Sequence, residues 1–301
     1  MATLHNPERA WARPAALTSF DMGEVERRIG PAAGHVELLS GGLANLNLHI
    51  VGQGVLRIYR SHLGQDDLGG PAKEARLLSL PWRRLRVPRV LQQGSDFLLL
   101  EHVPHRELQD GVEQGRAVGA GLAEIHARHF SHAGLLSAEL TLRESFGSGL
   151  EQLEQYGNEQ LQRTGLAELA PRLRARLASA RAVLAELEQP FVLLHSDFKL
   201  SNLHWAQDDR LLVLDWETAY AGPALLDIGQ LLRWSLPEPF VQGFAQAYQE
   251  HGGQLPSDWQ RHAEAFDAIN LAGLLGGSEP GSLRAEEVAA RLRRTLSERA
   301  K

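Results

Sequence analysis

Between Leu193 and Glu217 the chain reads LLHSDFKLSNLHWAQDDRLLVLDWE, and three of its side chains have the chemistry to act together. Asp197 is followed five residues later by Asn202, and Asp215 closes the apolar run Leu211-Leu212-Val213-Leu214. Phe191 to Leu194 and Leu211 to Leu214 are short and apolar and read as strands. The polar groups then fall at a strand exit and in a loop, where fixed backbone can present them to a ligand. Phosphoryl transfer needs one carboxylate to orient or deprotonate an attacking hydroxyl, and hard oxygen ligands for Mg²⁺. Asp197 suits the first role; Asn202 and Asp215 suit the second.

The protein-kinase pattern H-R-D-x-x-x-x-N followed by D-F-G has the same order and the same Asp-to-Asn spacing. Here the stretch reads His195-Ser196-Asp197, Asn202, then Asp215-Trp216-Glu217. The absent Arg and the Trp-Glu after Asp215 turn the resemblance away from protein kinases. They resemble instead the aminoglycoside phosphotransferase/choline kinase family, whose usual form is close to H-G-D-x-x-x-x-N, then D-W/F/P-E, then a further Asp. Asp227 fills that last position. Ser196 stands where the family usually has Gly, a departure that bears on the loop's backbone geometry.

The resemblance implies an α+β, protein-kinase-like fold. It has a small N-lobe, with an antiparallel five-stranded sheet and one helix, and a larger, mostly helical C-lobe. Residues 1–101 would form the nucleotide-binding lobe and 102–301 the helical lobe with the catalytic loop and acceptor site. It also implies an ATP-dependent kinase that uses Mg²⁺ and moves the γ-phosphate to a hydroxyl of a small molecule. A catalytically silent nucleotide-binding scaffold of the same fold is the alternative. Asp197 would be the catalytic base, with Asn202 and Asp215 as metal ligands. Arg57 takes the place of the third-strand Lys of the kinase fold, paired with Glu74 on the following helix. Gly41, Gly42 and Asn45 lie in the segment that would cover the phosphates, and Glu101 and Val103 in the hinge that would hold the base. Asp227 is expected to cap backbone N–H groups beneath the loop, and His195 to support it. Glu217 is placed to assist a metal or to bind a cationic acceptor.

The elements needed to hold these groups are visible as patterns. Ser19 to Ile29 has an amphipathic helical pattern, with Ser19 or Asp21 as N-cap. His35 to Leu39, Asn45 to Val51 and Val55 to Tyr59 are β-leaning and separated by glycine turns; Val87 to Gln92 and Phe97 to Glu101 complete five strands. Arg57 interrupts an apolar strand, which means either a solvent-facing cation or an inward one with a partner. Pro71 to Leu80 reads as the helix carrying Glu74. Beyond Pro104 the pattern turns helical: Glu107 to Arg128, most of Leu140 to Glu188, Ile228 to Trp234, Phe240 to Tyr248, Trp259 to Leu275 and Ala285 to Leu296. His126, His129 and His132 lack the spacing of a zincin helix and read as core or solvated histidines.

Composition sets the frame. The 301 residues are 43% hydrophobic, enough for a sizeable core and two lobes. No run of 18 apolar residues suggests a transmembrane helix, and the first residues lack the apolar segment of a secretory signal, so a cytoplasmic enzyme is expected. A formal net charge of −6 argues against a nucleic-acid partner, and the absence of cysteine excludes disulfides and thiolate metal sites. The expected partners are a nucleoside triphosphate and a small hydroxyl-bearing acceptor. If Asp215 holds the metal, Asp215→Asn should abolish Mg²⁺-dependent nucleotide binding more than it affects folding; unchanged magnesium affinity by calorimetry would contradict the assignment.

Overall fold

A computed structural model of the chain describes residues 2–12, 17–31, 34–39, 45–60, 70–146, 151–187 and 190–297. Helix α1 (Met22–Ile29) starts where Asp21 accepts hydrogen bonds from the N–H groups of Gly23 and Glu24. Strands β1 (Val36–Leu38), β2 (Leu46–Ile50) and β3 (Gly54–Ile58) follow, then helix α2 (Pro71–Leu78), with Pro71 in its first turn. Next come β4 (Leu85–Arg86), β5 (Val90–Gln93) and β6 (Phe97–Leu100). The order β1-β2-β3-β6-β5 makes a five-stranded antiparallel sheet. Leu46, Leu48, Ile50, Leu56 and Ile58 pack on one face with Val25 of α1. Period-two alternation therefore turns Asn47, Val55 and Arg57 to the other face.

The expected helix from Glu107 begins later than its pattern suggests. Residues His105–Glu107 form β7, and α3 (Val112–His126) starts after Gly111. Position 107 is extended because β7 pairs with a strand almost a hundred residues away, which no local pattern can show. Likewise, Leu140 to Glu188 is not helical throughout. After β8 (Gly134–Leu136), residues Leu142–Ser145 form β9, a mostly exposed, charged strand paired with β8. The helical part comprises α4 (Glu151–Arg163) and α5 (Ala170–Leu184), and Pro171 lies in the first turn of α5. The strand expected from Val87 begins only at Val90 and carries a register shift between Val90 and Gln92.

Strand β10 (Phe191–Leu194) leads into the motif stretch. It is followed by β11 (Leu203–Ala206), β12 (Leu211–Val213), β13 (Tyr220–Pro223) and helices α6 (Leu225–Leu232), α7 (Glu238–Glu250), α8 (Trp259–Gly276) and α9 (Leu283–Ser297). Two small sheets, β10-β13-β8-β9 and β4-β12-β11-β7, brace the motif stretch from both sides. The large core runs through the helical lobe, with Leu122, Ile125, Phe244, Phe266 and Leu292 all buried. Two pieces of the first 101 residues lie against the helical lobe. The β4 strand pairs in parallel with β12, and Leu4 N–H donates to Leu108 O (3.2 Å).

Helices α3 and α7 approach closely because Gly119 has no side chain: a Cβ there would sit 2.2 Å from the Phe244 carbonyl oxygen. Gly119→Ala should therefore destabilise the fold by about 1–3 kcal/mol through overpacking. A denaturant midpoint unchanged from wild type would mean that the two helices can separate without cost.

Candidate active site

The loop carrying Asp197 leaves β10 through Ser196, whose φ of 67° lies in the left-handed region. That conformation favours glycine, and a non-glycine residue holds it at a cost of about 1–2 kcal/mol. Four hydrogen bonds fix the turn. Asp227, fully buried on α6, accepts from the His195 and Ser196 N–H groups, each at 2.8 Å. Gln230, one turn further along α6, donates to Ser196 O (2.7 Å) and accepts from Phe198 N–H (2.8 Å). His195 is buried; its Nε2 lies 3.0 Å from Leu214 O and its Nδ1 accepts from Asp197 N–H (3.3 Å). His126 of α3 meets Asp227 Oδ2 at 3.2 Å and the Tyr248 hydroxyl at 2.7 Å, so α3, α6 and α7 converge under the loop.

Asp197 emerges from this turn with both oxygens engaged. Asn202 Nδ2 donates to Asp197 Oδ2 (2.8 Å) and to its carbonyl (2.9 Å), while Lys199 Nζ lies 2.9 Å from Oδ1. The β11–β12 hairpin then returns the chain: Leu203 faces Val213, and Leu214 N–H donates to Asn202 O (3.0 Å). Asp215 follows directly, also left-handed at φ 68°, with 27% of its side chain exposed. Distant motif residues are thus joined by one hairpin register.

Arg57 reaches this point from β3. Its guanidinium is buried and hydrogen-bonds the Asp215 carboxylate, lies 3.4 Å from Glu74 Oε2 and 3.4 Å from Glu217 Oε2. The expected partner Glu74 is thus one of three. Glu74 is itself buried; Oε1 accepts from Trp216 N–H (3.3 Å) and Oε2 from the Tyr59 hydroxyl. Burial opposes the Arg57 charge, but Asp215, Glu74 and Glu217 together raise its affinity for the proton. Burial likewise works against ionised Asp215, and Arg57 overcomes it, lowering that carboxyl. Glu217 goes the other way: burial, reinforced by Asp215 and Glu74, pushes it up to about 7 despite Arg57 and a hydrogen bond from Asn45.

The remaining sequence-predicted residues divide. Asn45 is buried and bridges Arg60 N–H (3.2 Å) to Glu217. Gly41 and Gly42 lie outside the described residues. Glu101 spends its carboxylate on Arg86 (2.7 Å) and Arg89, and its N–H on Arg89 O (2.8 Å). Val103 is buried with Ala206 and Leu212, and its carbonyl lies 2.7 Å from His105 Nδ1. The hinge pair is therefore removed from the Arg57–Asp215 cluster in its bonding. Three groups near the site carry no local signal that marks them. Lys73 is buried and donates to Ala219 O (2.7 Å), its ammonium depressed by burial to about 8. Lys199 stands two positions after Asp197 and contacts its carboxylate. Glu8, nearly two hundred residues away, lies 3.3 Å from Lys199 Nζ.

The donor set fits a hard cation. Three carboxylates face one guanidinium, Asp215 keeps part of its side chain exposed, and Asn202 spends its Nδ2 on Asp197 while its carbonyl oxygen can ligate. Among the described residues no three His, Asp or Glu side chains form a ready-made cage. Mg²⁺ takes few protein ligands beside water and phosphate oxygens, and Asn202 and Asp215 offer two such oxygen donors.

A five-stranded sheet over a helical lobe, with Asp197, Asn202 and Asp215 at their junction, is the protein-kinase-like architecture. The model of the APH phosphotransferase enzyme family matches residues 35–265, and the chain belongs to that family. Among solved structures the chain is similar to the macrolide 2'-phosphotransferase MphH from Brachybacterium faecium, with 24% identity, TM-score 0.59, and coverage of 89% of this chain and 96% of that one. The gentamicin complex of APH(2")-IIa is similar at 16% identity and TM-score 0.64, over 94% and 98% of the two chains. A choline/ethanolamine kinase family protein from Mesorhizobium loti is similar at 17% identity and TM-score 0.62, over 95% and 93%. No curated protein matches the sequence. No helix among the described residues is long and apolar enough to cross a membrane.

The raised Glu217 carboxyl has a stability consequence. The folded chain holds that proton up to about pH 7 and the unfolded chain only to about 4.5, so this group makes stability fall as pH rises through that window. Glu217→Gln should remove the loss, and its stability gain over wild type, from urea unfolding without nucleotide or metal, should be larger at pH 8 than at pH 5. A gain equal at both pH values would show that Glu217 ionises normally.

Proposed function

We propose that this chain is a small-molecule kinase that transfers the γ-phosphoryl group of ATP to an acceptor hydroxyl. The observation that carries the reading is the Asp197–Asn202–Leu214–Asp215 linkage. One carboxylate and one carboxamide share a hydrogen bond (2.8 Å), and a single backbone bond (3.0 Å) sets the second carboxylate beside them. Family membership supports phosphotransfer, and structures of similar fold carry ATP with streptomycin in APH(2")-IIa and ADP in APH(2")-Ib. A putative fructosamine-3-kinase from Thermobifida fusca shares the fold as well, so the acceptor class is open across the neighbours.

In this reading Asp197 takes the proton of the acceptor hydroxyl as its oxygen bonds to the γ-phosphorus, while the bond from that phosphorus to the β–γ bridging oxygen breaks and ADP leaves. Asn202 and Asp215 would hold Mg²⁺, which would supply neutralisation of the phosphate charge. Arg57, fixed by Glu74, draws further charge from the phosphates, and Glu217 is the reserve carboxylate of the same cluster. Phosphoryl transfer offers the protein little covalent chemistry, so positioning and electrostatics do most of it. Gly41, Gly42 and Asn45 would cover the phosphates, and backbone groups near Glu101 and Val103 would hold the base. The cellular setting we propose is the cytoplasm.

ADP release measured with Mg²⁺-ATP over aminoglycosides, macrolides, choline, ethanolamine, amino sugars and ketosamines should reveal turnover that Asp197→Ala reduces by at least about 100-fold. Wild type and Asp197→Ala equally inert across the panel, while both bind ATP, would favour a nucleotide-binding scaffold.

A further inference from the structure

The N-terminal segment crosses the helical lobe and ends beside the catalytic loop. Thr3 bridges to Gln109, Ala2 N–H donates to Asp110 Oδ1 (2.9 Å), and Leu4 N–H donates to Leu108 O. Residues Pro7–Ala10 then make a 3₁₀ turn capped by Asn6, whose side chain accepts from Glu8 N–H (3.1 Å). Trp11 packs edge-on against Trp234 at 6.3 Å and donates from Nε1 to Glu287 (2.7 Å). Apolar packing and backbone bonds would suffice to dock such a strap. Yet its turn carries Glu8 inward, to 6% side-chain exposure.

A buried carboxylate is costly unless it is paired, and a purely structural strap gains nothing from one. Glu8 Oε1 accepts from Arg233 Nη1 (3.2 Å) and Trp234 Nε1 (3.1 Å), and Oε2 faces Lys199 Nζ (3.3 Å). Arg233 already has a carboxylate of its own: Asp267 takes its Nη2 at 2.7 Å and its Nε at 3.0 Å. Lys199 has Asp197 and Glu8. Burial works against the Lys199 charge, and the two carboxylates overcome it and raise its hold on the proton.

We propose that Glu8 is a positioning residue for phosphoryl transfer, acting through Lys199 on the orientation and charge of Asp197. The inference rests on the reading of Asp197 as the base. With Glu8 present, the ammonium is shared between two carboxylates, so Asp197 Oδ1 is oriented without spending its whole charge on one tight ion pair. Asn202 fixes Oδ2 in the same way. Without Glu8, Lys199 has one carboxylate left, and either collapses onto Asp197 or swings off it. The base is misdirected in both cases.

The experiment is a double-mutant cycle on the full chain, read as ADP release with Mg²⁺-ATP and water, or the acceptor found above, as phosphoryl acceptor. Glu8→Gln should lower kcat by about 10- to 100-fold, the usual cost of misplacing a catalytic group, with KM for ATP within about twofold of wild type. Lys199→Gln should lower kcat comparably, and the double variant should be no slower than the slower single one, because both changes break one chain of contacts. Asp110→Ala, which removes the acceptor of the Ala2 N–H at the far anchor of the strap without touching Glu8, should keep wild-type kcat. Glu8→Asp should recover part of the loss, and takes the place of Glu8→Gln in the cycle if that variant does not fold. Additive losses in the double variant, a Glu8→Gln kcat within twofold of wild type, or an Asp110→Ala loss equal to that of Glu8→Gln would each overturn the proposal. Turnover that needs Asp197 but not Glu8 would overturn this inference alone, whereas no turnover in wild type would remove the kinase reading beneath it.

Discussion

A single buried guanidinium holds the two lobes in register. Arg57 stands on a strand of the N-terminal sheet, Glu74 on the helix that follows it, and Asp215 and Glu217 on the segment leaving the motif hairpin. A charge buried this deeply is stable only when its partners are fixed, and removing one partner from such a cluster commonly costs about 3–5 kcal/mol. The carboxylates therefore constrain one another. Asp215 cannot move without releasing Arg57, and Arg57 cannot move without stranding Glu74. Trp216, packed on Trp82 at 5.2 Å and donating its N–H to Glu74, closes the same junction with apolar contact.

The cluster also carries more negative than positive charge. One guanidinium among three carboxylates leaves a surplus that burial resists, and the protein answers by holding Glu217 protonated up to about pH 7. A divalent cation beside Asp215 would relieve that surplus. The charges around Asp197 are arranged differently. There Lys199 and Arg233 share Asp197, Glu8 and Asp267 in direct contacts, so charge is used to orient groups.

Backbone strain is stored beneath the loop. Ser196 and Asp215 both lie in the left-handed region, flanking the catalytic segment at its two ends. Asp227 and Gln230, one turn apart on α6, supply the hydrogen bonds that hold Ser196 there. Serine holds this conformation because α6 over-determines it.

Much of this was legible in the residues. The order of Asp197, Asn202 and Asp215 and the place of Asp227 follow from local spacing, which sequence records directly, whereas alternation left open whether Arg57 faces solvent or a partner. Asp227 does cap the loop's N–H groups as its position suggested. The strand character of residues 105–107 and 142–145 did not show, because a short polar strand is defined by its partner and has no apolar run of its own. Nor did the three-way sharing of Arg57, since which carboxylates meet a cation depends on packing between lobes. Glu8 is the extreme case: nothing in PERA points to Lys199, and only the docking of the N-terminal strap on the helical lobe brings them within 3.3 Å. Sequence fixes which groups exist and how near neighbours along the chain are spaced. Burial and long-range pairing decide which of those groups meet and what charge they carry, because both arise only when distant segments exclude water together.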